Sequence, residues 1–369
     1  MYRQIQMDPR DRKYQNILWR PNRNEPVRTY RLNTVTYGTA SASFLATRTL
    51  HQLVSDEFQK FPNAAIVLKE DFYVDDLLTG AHTVREAKRI RDELIQITKS
   101  AGMHLRQWAS NCVEILEDLD TTDNNIVSLD SSGTVKTLGI NWNAAEDNIG
   151  LLAPVVITAK IVMQGLWQLK SSWDEEVPAD MNEIWQTFRR NLPTLKKIRF
   201  TRNEKEIGDG KEIEMHGFCD ASEKAYGACI YVKTMGKNPR VSLLCAKSRV
   251  APLKTKSLPR LELCGALVLS RLFKVTKNAL RRSNIRRTIF WSDSTIVLHW
   301  INTPQHNLKT FVSHRVAEIQ ENTARELWRH VPSEHNPADL ISRSVTPTKL
   351  RKNKIWKSGP AWLVKPESN

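Results

Sequence analysis

Cysteine is scarce in this chain of 369 residues: the five, Cys112, Cys219, Cys229, Cys245 and Cys264, include no C-x-x-C pair. An odd set without paired spacing argues against a disulfide framework and a zinc ribbon, and most sit in apolar or strand-like runs. They read as reduced core residues of an intracellular protein in the cytoplasm or nucleus. Long apolar stretches are missing too, and none approaches the roughly 20 residues that cross a bilayer. The start, Met1 to Ile5, has no secretory pattern, and no internal repeat is visible. Negative charge is in short supply: 40 Asp and Glu face 55 Lys and Arg, a net charge of +15. That surplus suits a phosphate backbone and salt-sensitive binding, although a generic basic protein shares it. The shortage is sharpest from Lys247 through Arg287, where twelve Lys or Arg accompany one acid, Glu262.

What is present falls into segments. The length favours two domains over one. Tyr14 to Trp19 and Val27 to Val35 carry β-formers, Ala40 to Phe61 has helical spacing, and Pro62 ends that element. Ala64 to Lys69 and Asp71 to Leu78 read as strands, Val84 to Ser100 as an amphipathic helix closed by Gly102, and His104 to Trp108 and Val135 to Trp142 as further short strands. Residues 148–205 read as a helical connector, with Ile157 to Leu169 and Met181 to Leu192 as helices punctuated by Pro154, Pro178 and Pro193. Trp167, Trp173 and Trp185 are expected in its core. A second domain follows at 206–345: three strands (Glu212 to Asp220, Tyr226 to Lys233, Arg240 to Lys247), a long helix (Leu258 to Leu280), a strand (Arg287 to Trp291), helices to Ile301 and over Phe311 to Thr323, a strand at Trp328 to Val331, and a last helix at Asn336 to Arg343. Residues 346–369 read as a basic tail. The fold class is α/β of the α+β kind.

Two acidic constellations stand out. Asp75 and Asp76 lie side by side in the apolar stretch Phe72 to Leu78. Adjacent carboxylates there need water or a cation, so the pair is either a solvated turn or a metal-held pair. In the second domain Asp220 ends a strand, Glu262 lies early in the long helix, Asp293 ends a strand, and Asp339 opens the last helix. In a mixed sheet these ends converge on one edge. Four carboxylates around one point repel unless cations neutralise them, which predicts two Mg²⁺ (or Mn²⁺) ions suited to phosphodiester hydrolysis. The bland alternative is that each acid caps a helix or faces solvent, with Asp293 the best N-cap candidate. Lys254, Lys256 and Arg260 are placed to grip a nucleic-acid backbone beside the metals.

These residues resemble the polymerase polyprotein of BEL/Pao-type LTR retrotransposons, over nearly the whole chain. Asp71 to Gly80 is similar to the reverse-transcriptase Y-x-D-D motif with that family's flanks. Thr34 to Leu50, with Tyr37 and Gly38, resembles the template- and nucleotide-facing segment. Leu105 to Asn111, with Trp108, and Thr137 to Trp142 resemble the strands after the polymerase site, the second being similar to a primer grip. Trp108 and Trp142 are candidates for primer contact, with core as the alternative. His216 to Gly227, Leu258 to Glu262, Trp291 to Ser294 and His330 to Arg343 resemble the family's RNase H domain. The resemblance implies RNA-directed DNA synthesis on an RNA template and DNA primer, with dNTP in an intact relative. It also implies cleavage of the RNA strand of an RNA:DNA hybrid. His330 or His335 is a candidate for product release.

The departures shape the expectation. The family's first polymerase aspartate precedes a segment that looks like Met1 to Ile5, so in the sequence as it stands Asp75 and Asp76 lack a third ligand. The polymerase half, a partial palm at 1–147, is expected to be impaired, and the RNase H half is expected to retain the chemistry. The run from Asp147 into Pro154 is shorter than in the family, and Trp356 to Trp362 resembles the junction before an integrase that does not follow. A Pao-type aspartic peptidase label is also expected for the connector and RNase H region. Peptidase chemistry of that kind needs an Asp-Thr/Ser-Gly turn, which is missing; Asp130 to Gly133 has an extra residue. The remaining rival is a nucleic-acid-binding remnant without turnover.

Overall fold

The computed structural model describes residues 1–73, 76–119, 134–137, 140–143, 148–149, 151–169, 175–198, 200–201, 212–236, 238–281 and 283–365. Contacts divide the chain into two units, Met1–Asp147 and Asn148–Asn369.

In the first unit β1 (Asn16–Trp19) and β2 (Arg28–Arg31) form an antiparallel hairpin. Helices α1 (Ala42–Glu57) and α2 (Pro62–Glu70) follow, then the two-residue strands β3 (Phe72–Tyr73) and β4 (Asp76–Leu77). Helix α3 (Val84–Ser100) begins where the Thr83 hydroxyl accepts the Glu86 amide, a capping pattern, and stops at Gly102, whose φ of +69° suits glycine. Ala46, Leu50, Ala64, Leu68, Leu94 and Ile97 are buried in one core between these helices.

Three expectations fail here. Ala64 to Lys69 is helix, not strand: Pro62 occupies the first turn, where its missing N–H costs nothing, and Ala64, Ala65, Val67 and Leu68 bury one helical face. His104 to Trp108 is no strand, because Gln107 takes φ +61° and interrupts the extended backbone; only an isolated bridge at Trp108 remains. Val135 to Trp142 is a hairpin of β5 (Thr134–Thr137) and β6 (Ile140–Asn143) instead of one strand.

In the second unit β7 (Asn148–Ile149) pairs with β8 (Phe200–Thr201), and α4 (Ala153–Leu169) and α5 (Ala179–Asn191) lie between them in sequence. A five-stranded mixed sheet follows, built from β9 (Glu212–Ala221), β10 (Ala225–Thr234), β11 (Arg240–Val250), β12 (Asn284–Ser292) and β13 (Trp328–His330). Its spatial order is β11-β10-β9-β12-β13, antiparallel through the first three strands and parallel from β9 to β13. Between its strands run α6 (Leu258–Ala279), α7 (Thr295–Asn302) and α8 (Thr310–Asn322), and after β13 come α9 (Asp339–Arg343), α10 (Pro347–Lys352) and α11 (Lys354–Ser358). The long helix, α7 and α8 cover one face of the sheet, with Leu263, Leu269, Phe290 and Val316 in the shared core. A second core on the other face gathers Val155, Phe218, Tyr231, Ile341, Leu350 and Trp356. Strand β9 is therefore buried from its second residue to its last, as a sheet covered on both faces requires.

The stretch after Val345 is thus no loose tail up to residue 365. Trp356 is fully buried, its Nε1 donates to the Leu151 carbonyl at 3.1 Å, and the Tyr231 hydroxyl donates to the Ile355 and Trp356 carbonyls. The connector tryptophans differ from expectation in the opposite sense. Trp167 is 76% exposed, because α4 is apolar around much of its circumference and turns other residues, Val155, Ile157 and Val162, inward; Trp185 is 39% exposed on α5, which buries none of its residues. Trp173 lies outside the described residues.

Candidate active site

Strand pairing brings the second acidic constellation together. Strands β9 and β12 are parallel, with Cys219 opposite Ser292, so Asp220 and Asp293 leave the sheet at the same edge. Glu262 reaches that edge because α6 crosses β9 closely at Gly265, where a Cβ would stand 3.0 Å from the Asp220 carbonyl oxygen. Asp339 arrives on α9, after a turn fixed by the buried Asn336 side chain, which donates to the Cys219 carbonyl at 3.0 Å and accepts the Ala338 amide.

Each carboxylate has a partner within the chain. Ser342 Oγ donates to Asp220, Ser294 Oγ to Glu262, Ser333 Oγ to Asp293 at 2.7 Å, and Arg343 Nε contacts Asp339 at 2.6 Å. Ser294 also accepts the Val297 amide and caps α7. The N-cap role considered for Asp293 therefore falls to its neighbour, and the Asp293 carboxylate is left for the edge.

Burial dominates the electrostatics. Asp220, 7% exposed, is pushed up to about 7 by burial and by the charges of Asp293 and Asp339, against the Ser342 hydrogen bond. Burial also raises Glu262 and Asp339; Ser294 and Arg343 oppose it, and the Asp293 charge adds to it in both. The four acids thus feel one another. Among the described residues, however, no group of three or more His, Cys, Asp or Glu is drawn together tightly enough to hold a metal ion. The donor set itself fits a hard divalent cation, being all carboxylate oxygen.

Behind the edge lies a buried polar row on β9. His216, lowered by burial, accepts a hydrogen bond at Nδ1 from Trp291 Nε1 at 3.3 Å. The imidazole, with Nε2 3.7 Å from Glu214, and Lys233 at 3.3 Å hold the Glu214 carboxyl down at about 2.

The candidate backbone-gripping residues lie at the start of α6. Lys254 is exposed, whereas Lys256 and Arg260 are half-buried over the Phe311 ring, at 5.1 and 5.3 Å from its centroid, and Arg315 stacks on the same ring at 3.6 Å. Phe311 and Arg315 escaped the sequence reading because they lie some 50 residues from Arg260; so did Ser294, Ser333, Ser342, Arg343 and Asn336, which carry no charge pattern of their own or sit in motifs read for their acids alone. His330 is exposed opposite Ser292, and His335 is exposed in the turn that carries Ser333.

The first constellation is described only in part. Asp76 is exposed on β4, opposite Tyr73; Asp75 lies outside the described residues. Tyr37 is 64% exposed, Gly38 takes φ +88°, and Trp108 is half-buried. The Trp142 side chain and Asp130 to Gly133 lie outside the described residues.

Residues 137–294 match the family model of the Pao retrotransposon-like RNaseH-like domain, which supports a Pao-type retrotransposon Pol fragment. The match takes in Asp220, Glu262 and Asp293 and stops before Asp339. Its description is that of an RNase H-like domain; the peptidase label expected above is not the one found. No curated protein matches. Solved structures that resemble this chain include the N-terminal RNase H domain of a Mycobacterium tuberculosis protein (11% identity, 36% of this chain and 91% of that one, TM-score 0.26). Others are RNase H1 from Halobacterium salinarum (10%, 36% and 95%, 0.24) and RNase H1 isolated from compost (14%, 38% and 98%, 0.26). At such scores no residue correspondence is carried over from them. Among the described residues no helix is long and apolar enough to cross a membrane.

Proposed function

We propose that this chain, whose residues 137–294 carry a Pao retrotransposon-like RNase H-like domain, cleaves the RNA strand of RNA:DNA hybrids by divalent-metal hydrolysis. Asp220, Glu262, Asp293 and Asp339 would hold two Mg²⁺ or Mn²⁺ ions. When bound, such ions activate water and stabilise the leaving oxygen. The chain's own residues orient that edge: Ser342, Ser294 and Ser333 hold three carboxylates, and Asn336 holds the turn before the fourth. Lys254, Lys256 and Arg260, with Phe311 and Arg315, seat the phosphate backbone. The observation that carries the reading is the convergence of four acids at one sheet edge, where the Asp293 charge raises the other three. In the first unit we propose a reverse-transcriptase palm, with Asp75 and Asp76 among its metal ligands.

A second reading keeps the nucleic-acid groove without turnover. It is favoured by the internal partner on every carboxylate and by the lack of a closed ligand group among the described residues. A cleavage assay on an RNA:DNA hybrid with Mg²⁺ separates the two, using the full chain and Asp293→Asn. Metal-dependent cleavage lost on substitution supports the nuclease; hybrid binding without cleavage supports the remnant.

A further inference from the structure

Asp339 sits on a helix of five residues, too short to hold its own position in water. What fixes it comes from two sides. Toward the sheet, Ile341 packs against Gly227, where a Cβ would stand 2.5 Å from Ile341 Cγ2. Ser342 is laced to β9 and to the residue that follows it: its hydroxyl donates to Asp220, and its carbonyl accepts the Ser222 hydroxyl at 2.7 Å. Toward the connector, α4 packs against α9, and the Val345 amide donates to the Pro154 carbonyl at 3.0 Å. Between these two holds Ser344 takes φ +61° with ψ 153°, a conformation that disfavours a side chain and persists only where its surroundings impose it.

The connector helix is itself pinned to the sheet. Lys160 Nζ donates to the Ser248 carbonyl at 3.1 Å, and Gln164 Nε2 to the Ala251 carbonyl at 2.6 Å, both at the far end of β11. A cleft of about 470 Å³ separates part of α4 and α5 from α9, with Thr158, Ile161 and Val162 on one wall and Ser342, Arg343 and Ser344 on the other. Helix α4 therefore spans from β11 to the chain end of α9.

We propose that α4 is a brace for the carboxylate edge: anchored on β11, it holds α9 through Pro154, Val345 and the strained turn at Ser344, and so sets Ser342 and Asp339 against Asp220. The connector is then a working part of the RNase H-like domain and not a spacer. Its catalytic consequence rests on the nuclease reading above; its structural consequence does not.

The test releases α4 from β11 without touching a carboxylate or its partner. Lys160→Met with Gln164→Leu in the full chain removes both anchors and is followed by hydrogen exchange of the Ile341, Ser342 and Val345 amides, without metal. The expected result is exchange at least about tenfold faster there, with β9 and β10 unchanged. The turnover number on a hybrid falls about a hundredfold while hybrid affinity holds within about twofold, since only geometry is lost. Lys160→Arg, which keeps a donor, leaves both near wild type. Unchanged exchange in the folded double variant overturns the brace. Should that protein unfold, Gln164→Ala is read by the same two outcomes. A wild-type chain that does not cleave overturns the nuclease reading alone, and the exchange result still decides the brace.

Discussion

The two acidic constellations of this chain contrast in burial and in what surrounds them. Asp76 sits exposed on a strand of two residues, where water satisfies a carboxylate at little cost. Asp220 is buried at the end of a ten-residue strand, beside Asp293 and Asp339, and is pushed up to about 7. Exposure makes an aspartate such as Asp76 cheap and therefore uninformative; burial makes a carboxylate costly unless something neutralises it. The proposed nuclease reading therefore draws on the second constellation, where burial raises Asp220, Glu262 and Asp339.

The sharpest way to break that contrast is to neutralise one acid on each side. Asp293→Asn is expected to lower Mg²⁺-dependent hybrid cleavage by at least about a thousandfold. Asp76→Asn is expected to leave it within about twofold; equal losses in the two variants would erase the distinction.

The next test concerns packing. Trp356→Ala opens the core beneath the sheet and should destabilise the second unit by about 3–5 kcal/mol in denaturant melts. The exposed Trp167→Ala should stay within about 0.5 kcal/mol. Gly265→Val tests the close crossing that delivers Glu262: steric pressure on the Asp220 carbonyl should cost about 1–3 kcal/mol and reduce cleavage with it.

Acid titration probes the row behind the edge. The Glu214 carboxyl is held at about 2, below its ordinary 4.5. A depressed carboxylate contributes stability that is complete above its unfolded pKa and is lost as pH falls through the folded one. Melting curves should show Glu214→Gln converging on wild type between pH 4.5 and about 2, where wild type alone gives up this contribution. The smallest effect belongs to the exposed Lys254: Lys254→Ala should reduce the salt slope of hybrid binding by about 1.

Much of the second unit was legible in the sequence because its strands are long, its helix α6 is continuous, and the acids fall at element ends. The placing of Asp220 and Asp293 at the same end of neighbouring parallel strands followed from topology alone. Their serine partners did not, since a serine one or three residues from an aspartate has no periodicity to betray which acid it serves. Ala64 to Lys69 misled because a short apolar run fits strand and helix alike, and Pro62 marks a helix start as readily as a stop. The ordered region from Pro347 to residue 365 misled through its basic composition: its lysines and arginines are mostly exposed, while Leu350, Trp356 and Leu363 between them are buried.

Manganese binding to the full chain, followed by electron paramagnetic resonance, tests the central claim most directly. Binding near neutral pH is expected, lost in Asp220→Asn and kept in Asp76→Asn. Binding that ignores Asp220, or that vanishes only with Asp76, would contradict it.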